Sequence, residues 1–412
     1  MPRQGRRLRA QLVTTAAFVG LGAFGAAHAE KPSFELFGAA QADYIQDFNR
    51  VDPNWAAALR PSKIPTSPGA FGSDGQGIIS VRQSKFGANV SQEIAGKPLE
   101  IKFDFDLFGS GANEGETTFH LQHFYGSWGP ILAGRNDTLF MDGDLFPNTI
   151  DYWGPPGMVY LRNPQVRLTY KMGSHELAVA IEAPSNDVDP GAIRILDPEL
   201  AANLRGDQKM PDFTAHYRYA GDWGHIQLAG ILRRVGYETL GSTNNEPKGS
   251  KLGWGVNGTT NIKLFKKDVL HLGVVYGQGI ASYMNDGGVD LAPIAQILPA
   301  QPTIPPTPPA LQPGVAPLLG ITAFYDHYWS DKWSTSLGWS ETHLDNTNFQ
   351  EPTAFRSGQY ASINLLFTPD SHLMMGTEFL WGQREDKDGA VGHDTRVQLS
   401  FKYSFTSKDF FK

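Results

Sequence analysis

The side chains in this sequence that are best suited to catalysis or metal binding are spaced poorly for either role. His120 and His123 lie three residues apart, which on a strand predicts opposite faces and argues against a shared metal. Gly277 and Gly279 make only a fragment of a nucleotide-binding loop. The 412 residues include no cysteine, so thiolate metal sites and cysteine catalysis are excluded. We therefore expect no enzymatic activity, no metal and no cofactor.

The elements that position the polar side chains are strands, because the hydrophobic pattern repeats every second residue. From Leu99 to Leu107, every odd position is apolar and every even position is charged. The segments 213–219, 361–367 and 397–405 alternate in the same way. Each such strand has one apolar and one polar face. No stretch after residue 29 has 18 consecutive apolar residues, which excludes helical membrane spans.

The lengths of the connections indicate how these strands are arranged. Seven short turns alternate with eight longer loops, a segregation that is typical of an outer-membrane barrel with both termini in the periplasm. We predict an all-β fold, a transmembrane antiparallel β-barrel of 16 strands. The predicted strands are 34–47, 80–91, 98–108, 117–127, 130–136, 163–171, 175–183, 211–220, 223–235, 251–263, 268–280, 318–329, 333–343, 356–367, 373–384 and 394–405.

A barrel with an apolar exterior and a polar lumen also explains the moderate mean hydropathy of −0.31. Aromatic residues near strand ends are candidates for the girdles that such barrels place at the two membrane interfaces. The candidates are Tyr152, Trp153, Trp223, Trp254, Tyr328, Trp329, Trp333, Trp339 and Trp381.

Two of the longer loops have unusual compositions. The segment 137–162 follows the fifth strand, and we predict that it folds into the lumen as a constriction loop, since long loops often carry function. Its candidate residues are Asp142, Asp144, Asp151, Tyr152 and Trp153. The segment 281–317 is rich in proline, which disfavours helix and paired strand and predicts a stiff, extended external loop.

The N-terminus predicts the cellular location. Arginines at positions 3, 6, 7 and 9 precede an apolar stretch and the small-residue site Ala27-His28-Ala29, as in a secretory signal peptide spanning 1–29. Cleavage leaves the barrel domain, 30–412, and lowers the net charge from −7 to −11, because four arginines and no carboxylate are removed. We expect a bacterial outer-membrane location in contact with lipid, and no nucleic-acid binding.

Several short motifs, in order, resemble the DcaP-like porins over nearly the whole mature chain. These motifs are residues 82–87 (RQSKFG), 123–126 (HFYG), 132–134 (LAG), 140–142 (FMD), 162–167 (RNPQVR), 181–185 (IEAPS), 276–280 (YGQGI) and 381–385 (WGQRE). Lys85 and the run 135–137 depart from the family pattern, and the mature chain enters its first strand without a coiled-coil extension. The resemblance implies a homotrimeric channel for passive diffusion of small hydrophilic solutes, with small carboxylates and dicarboxylates as the implied substrates.

Arginine and lysine side chains facing the lumen would make such a channel anion-selective. Alternation turns Arg167, Arg218 and Arg233 inward, while the others lie near the strand ends that border the segment 137–162. The candidate anion-selecting set is Arg82, Lys85, Arg135, Arg162, Arg167, Arg218 and Arg233.

Alternatives remain open at this point. The cations could instead pair with carboxylates of the lumen, namely Glu100, Asp104, Asp106 and Glu182, and only order it. A carbohydrate-selective channel would use Tyr152 and Trp153 to stack sugars. A barrel hydrolase is the least favoured alternative, because no catalytic motif is evident.

Overall fold

The computed structural model describes residues 32–296 and 310–410. The predicted signal peptide, 1–29, lies outside the described residues. Sixteen antiparallel strands form the wall. They are β1 Ser33–Asp47, β2 in two segments (Gln76–Ser80 and Lys85–Ile94), β3 Lys97–Phe108, β4 Thr117–Trp128, β5 Ile131–Asp137, β6 Arg162–Met172, β7 His175–Glu182, β8 Asp212–Gly221, β9 Gly224–Thr239, β10 Gly249–Leu264, β11 Asp268–Gln278, β12 Pro317–Tyr328, β13 Trp333–Leu344, β14 Phe355–Phe367, β15 Leu373–Asp386 and β16 Val391–Thr406.

The sheet closes because the first strand pairs with the last. The ladder between β1 and β16 runs from Phe37 opposite Thr406 to Asp47 opposite Arg396. On its other side β1 pairs with both segments of β2, and at the break between them the Ser84 hydroxyl bonds to the backbone of Gln41. Every wall strand therefore has two neighbours, and the predicted 16-stranded antiparallel barrel is confirmed.

The period-two pattern sorts the side chains as predicted. On β6, Val166 and Leu168 are exposed on the outer surface while Gln165 is buried inside. On β16, Leu399 and Phe401 are exposed while Gln398 is buried. Alternation thus places apolar side chains toward lipid and polar ones toward the lumen. No described helix is long and apolar enough to cross a membrane.

The connections segregate by length. The seven turns on one side span two to five residues, while most connections on the other side are much longer. Short turns are periplasmic and long loops are extracellular in such barrels. The start of β1 and the end of β16 therefore lie on the periplasmic side. The last external connection, 387–390, is shorter than the predicted loop 385–393.

Two described parts of the proline-rich segment 281–317 pair as strands, which the sequence analysis disfavoured. Leu291–Gln296 and Ala310–Val315 form an antiparallel hairpin in which Pro293 lies opposite Pro313. The expectation that proline would prevent strand pairing was wrong here, because a two-stranded ribbon has free edges on which no N–H is needed. Residues 297–309 lie outside the described part of the chain.

Two short helices, α1 (Ile193–Leu196) and α2 (Pro198–Asn203), lie in the external connection between β7 and β8. This connection contacts two other external segments. Val188 forms a β-bridge with Leu291, and Ala192 N–H donates to the carbonyl of Phe349 at 2.8 Å. The external segments therefore pack on one another around the mouth of the barrel.

Aromatic side chains on the outer surface cluster near the periplasmic turns, where Trp128, Trp223, Trp329, Trp333 and Phe265 are exposed. This agrees with a girdle at the periplasmic interface. Tyr152 and Trp153 do not belong to a girdle, because they lie in the segment after β5 and pack against interior rings.

A charged substitution on the outer surface should destabilise the barrel more near the middle of the membrane than near its edge. Leu228 on β9 is 57% exposed near the middle of the wall, so Leu228→Arg should destabilise the barrel by about 2–4 kcal/mol. The same substitution at Phe265, in a periplasmic turn, should cost about 0–1 kcal/mol. Urea-induced unfolding from phospholipid vesicles measures both values. Equal costs at the two positions would contradict the assignment of the apolar face to lipid.

Candidate functional site

A cavity of about 790 Å³ lies in the lumen between the wall and the segment that follows β5. Its acidic lining residues are Asp104, Asp106, Asp151 and Asp187. Its basic lining residues are Arg60, Lys85, Lys102, Arg135, Arg162 and Lys402. Lys85, Arg135 and Arg162 come from the set predicted from the sequence, and the other three basic residues do not.

The cations of this cavity differ in how far they are neutralised. Arg60 pairs with Asp286 at 3.1 Å, and Arg162 pairs with Asp137 at 3.0 Å. In contrast, Lys85, Arg135 and Lys402 have no carboxylate oxygen within 4.0 Å among the described residues. Arg135 donates instead to the carbonyl of Leu121 at 3.2 Å. Three positive charges in the cavity therefore form no ion pair with a described carboxylate.

Two histidines face the cavity together because β4 contains a bulge. The register with β3 shifts between Asp104 opposite His123 and Phe105 opposite Leu121, which leaves Gln122 as the extra residue. His123 bonds to Asp104 at 2.7 Å, and His120 bonds to Asp106 at 3.1 Å. The prediction that the two histidines occupy opposite faces was wrong, because a regular strand was assumed.

The segment between β5 and β6, residues 138–161, contacts inward-facing residues on widely separated strands. Near its start, Thr138 donates to Glu182 on β7 at 2.8 Å. Farther along, the backbone N–H groups of Ile150 and Asp151 donate to Glu378 on β15, at 2.8 and 3.0 Å. Because β7 and β15 are eight strands apart, this segment spans the interior of the barrel.

Gly157 fixes the approach of this segment to the wall. A Cβ atom at residue 157 would lie 2.1 Å from the carbonyl oxygen of Glu341 and 2.5 Å from that of Ile321. The backbone N–H of Gly157 donates to the hydroxyl of Ser340 at 2.9 Å. Only glycine allows so close a contact with β12 and β13.

Asp142 connects the segment to three neighbouring strands of the wall, β8, β9 and β10. It accepts from His225 at 2.7 Å and from Thr259 at 2.6 Å, and it pairs with Arg218 at 3.0 Å. Arg218 also pairs with Asp144. Asp142, Asp144 and His225 place their potential ligand atoms within 4.8 Å of one another, but Arg218 already supplies positive charge there.

Three further predicted cations have structural partners and do not line the cavity. Arg233 is buried and pairs with Asp212 and Asp290, each at 3.2 Å. Arg82 is also buried, with its guanidinium 3.8 Å from the centre of the Phe108 ring. Arg167 faces inward, where it donates to Gln165 at 3.0 Å and to the carbonyl of Asp137. Among the described residues, none of the four carboxylates considered as alternative ion-pair partners has an oxygen within 4.0 Å of a nitrogen of these arginines.

The aromatic residues of the segment pack tightly on other side chains. Tyr152 stacks on Phe108 with ring centres 3.8 Å apart, and its hydroxyl donates to Asp106 at 2.7 Å. The Arg60 guanidinium packs on the rings of both Trp55 and Trp153, at 4.3 and 4.4 Å from their centres. The neighbouring Asp151 accepts from the backbone N–H groups of residues 59, 153 and 154.

Sequence reasoning missed several residues that shape the lumen. Lys402 and Lys102 occupy polar positions of strands with alternating polarity. The alternation that predicts an inward orientation for Arg167 therefore predicts the same for them. Arg396 is buried and pairs with Asp47 at 3.1 Å and Asp394 at 2.6 Å. Arg60 lies in a loop, and no sequence signal indicated its position.

Asp187 is the acidic lining residue contributed by the external connection between β7 and β8. Burial, and then the nearby charge of Asp290, raise the pKa of Asp187 to about 6, although Arg233 and Arg60 oppose this shift. Its charge therefore changes within the range of pH that a cell exterior can reach.

Comparison with known proteins agrees with this architecture. Residues 26–287 match the family model described as DcaP outer membrane protein. None of the curated protein sequences matches the chain.

Among solved structures, the outer membrane channel DcaP of Acinetobacter baumannii superposes with a TM-score of 0.74 at 19% identity, covering 91% of this chain and 97% of that one. An anion-selective porin from Comamonas acidovorans gives a TM-score of 0.55 at 8% identity, covering 91% of this chain and 100% of that one. OmpT of Vibrio cholerae gives 0.53 at 10% identity, covering 92% and 100%. The closed barrel and the match over most of the chain together show that this protein belongs to the DcaP outer membrane protein family, whose members are outer-membrane channels of the porin fold.

Proposed function

We propose that this protein is a passive, anion-selective channel for small carboxylates and dicarboxylates, exported by a cleaved signal peptide and assembled as a homotrimer. The observation that carries the proposal is the imbalance of charge in the lumen cavity. Lys85, Arg135 and Lys402 have no carboxylate oxygen within 4.0 Å among the described residues, whereas Asp104 and Asp106 bond to histidines. A solute carboxylate would meet donors there that no protein anion occupies.

The electrostatic field of the lumen cations, rather than tight binding of a solute, would produce the selectivity. Unpaired cations in a lumen enclosed by low-dielectric walls raise the local concentration of anions and lower that of cations. No step requires energy or a covalent intermediate, so the proposed activity is diffusion and not catalysis. The Comamonas acidovorans neighbour is described as anion-selective, and one Vibrio cholerae OmpT structure is described as a trimer form. Both descriptions agree with the proposal.

We further propose that residues 138–161 constrict the channel, with Asp142 and Asp144 as anchors and Asp151, Tyr152 and Trp153 beside the cavity. The contacts that span from β7 to β15 support this role. A stacking surface for sugars is less suited to the site, because the Tyr152 ring already packs on Phe108 and Arg60 covers the Trp153 ring. We propose no hydrolase activity for these residues.

Removal of the unpaired lysines should reduce anion preference. The double variant Lys85→Gln, Lys402→Gln should shift the reversal potential in a KCl gradient across a planar bilayer toward the value for a non-selective pore. The control Lys332→Gln removes the same kind of charge from an exposed periplasmic turn and should leave the reversal potential unchanged. Cation preference in the unmodified channel would refute the proposal.

Acidification should strengthen anion preference through Asp187. Below pH 6 this carboxyl is mostly protonated and neutral, so the cavity loses a negative charge, whereas at pH 7.5 it is mostly ionised. The permeability ratio of chloride to potassium should therefore rise as pH falls from 7.5 to 5. Asp187→Asn should remove part of this rise. An identical pH profile in the variant would contradict the role of Asp187.

Displacement of the segment should widen the channel. Gly157→Ala places a methyl group against the carbonyl oxygens of β12 and β13, which should weaken docking by about 1–3 kcal/mol. We expect a higher single-channel conductance or frequent transitions to a larger conductance level. Gly258→Ala on β10 serves as the control, because the nearest heavy atom to a Cβ there is the carbonyl oxygen of Val274 at 4.0 Å, and its conductance should remain at the level of the unmodified channel. An unchanged conductance in Gly157→Ala would argue against constriction by this segment.

A further inference from the structure

The external connection between β1 and β2, residues 48–75, is a second segment that folds into the barrel. Its Leu59 and Ile64 side chains are fully buried. Both belong to one apolar cluster with Tyr360 on β14 and Leu380 on β15. This part of the connection therefore packs on the inner face of the wall and does not face solvent.

Glycines on the inner face of the wall make room for this segment. A Cβ atom at residue 382 would lie 2.9 Å from the Ile64 side chain, and one at residue 392 would lie 2.0 Å from the carbonyl oxygen of Pro65. Only glycine allows so close a contact with a neighbouring backbone. The glycines that the segment contacts are Gly358 on β14, Gly382 on β15 and Gly392 on β16. The segment thus has one defined position against three adjacent strands.

Hydrogen bonds fix the backbone on both sides of Arg60, which lies in this segment. The Leu59 N–H donates to Asp151 at 2.9 Å. The Ser62 N–H and hydroxyl donate to Asp286 at 2.7 and 2.6 Å. The Arg60 side chain donates through Nε to the same Asp286 carboxylate at 3.1 Å. Both the backbone and the guanidinium of Arg60 are therefore held in place before any solute arrives.

The other end of the Arg60 guanidinium is free. Its Nη1 and Nη2 atoms have no hydrogen-bond partner among the described residues, and the side chain is 20% exposed in the lumen cavity. Asp187, another carboxylate that lines this cavity, forms no ion pair with Arg60 in the described part of the chain. Two Nη nitrogens side by side match the two oxygens of a carboxylate. Arg60 can therefore donate to a solute without releasing Asp286.

Arg60 lies nearer the external entrance than the unpaired lysines do. Its segment and its partner Asp286 both belong to external connections. Lys85 and Lys402 instead pair with the middle of β1. All three cations line the same cavity. A solute that enters from outside would therefore reach Arg60 first.

We propose that Arg60 is the entry site of the channel, where Nη1 and Nη2 bind one carboxylate of an incoming solute before it moves on to Lys85 and Lys402. This inference rests on the proposed anion-selective function and adds the residue that first contacts the solute and the segment that positions it. The pairing of Arg60 with Asp286 lowers the positive charge at the entry site, which favours release of the solute toward the lysines.

Block of single-channel chloride current by malonate, a small dicarboxylate, provides the test. Malonate is added to one side of a planar bilayer and then to the other. We expect tighter block from the side on which Arg60 lies. Arg60→Gln should weaken this tighter block about tenfold, because a charge-assisted contact is lost. Block from the opposite side should change much less, so the asymmetry should largely disappear.

Two further variants separate the guanidinium from its surroundings. Arg356→Gln is the matched control, because Arg356 also has one carboxylate partner, Glu385 at 3.3 Å, and does not line the cavity. It should retain the asymmetry. Gly392→Ala keeps Arg60 but displaces the segment that carries it, so it should weaken the same block as Arg60→Gln does. Gly258→Ala is again the control for the added methyl group.

Block that is equal from the two sides of the unmodified channel, or unchanged in Arg60→Gln, would overturn the entry site while leaving the anion preference in a KCl gradient intact. Cation preference of the unmodified channel would overturn the proposed function and the entry site together. If Arg60→Gln fails to fold, Arg60→Lys replaces it. This variant keeps the charge and loses the paired nitrogens, so we expect a smaller loss of asymmetry, and an unchanged asymmetry would overturn the proposal.

Discussion

The hydrogen bonds between β1 and β16 are the constraint on which the rest of the structure depends. A sheet at membrane depth has no water to satisfy its edges, so the chain must return its last strand to its first. The register that joins Asp47 to Arg396 also sets which side chains meet inside. Arg396, buried between Asp47 and Asp394, lies at this closure and holds the two terminal strands together by charge as well as by backbone bonds.

Closure of the barrel creates an enclosed polar interior. Most of the charged side chains in this interior pair with one another and hold the interior in one arrangement. Arg233 and Arg396 are fully surrounded by carboxylates and carbonyls, so neither presents a free guanidinium to a solute. Burial without such partners would be very unfavourable, which explains why each has two acidic neighbours. The cations that we propose as available to solutes are instead those that form no ion pair with a described carboxylate, such as Lys85 and Lys402. Positive charges in one lumen therefore differ in their proposed roles according to their neighbours.

The segment after β5 links the interior to the part of the wall where β4 and β5 share only a short ladder. It leaves the wall at Asp137, where the ladder between β4 and β5 has already ended, and it anchors on the far side at Glu378. Because β5 ends early, the chain can turn inward after Asp137. The external half of β4 is then left without a ladder to β5. The proposed constriction is thus a consequence of the short strand β5.

The sequence by itself determined the fold, because alternation with period two depends only on which residues are adjacent. It predicted sixteen strands, the polarity of the two faces and the inward orientation of Arg218 and Arg233. Tertiary structure alone decided which charges are neutralised, since Arg233 meets Asp290 across 57 residues of chain. It also decided the bulge at Gln122 that brings His120 and His123 together, and the hairpin in the proline-rich segment. Pairing between distant charges and local breaks in register depend on closure of the barrel, a property that no local pattern encodes.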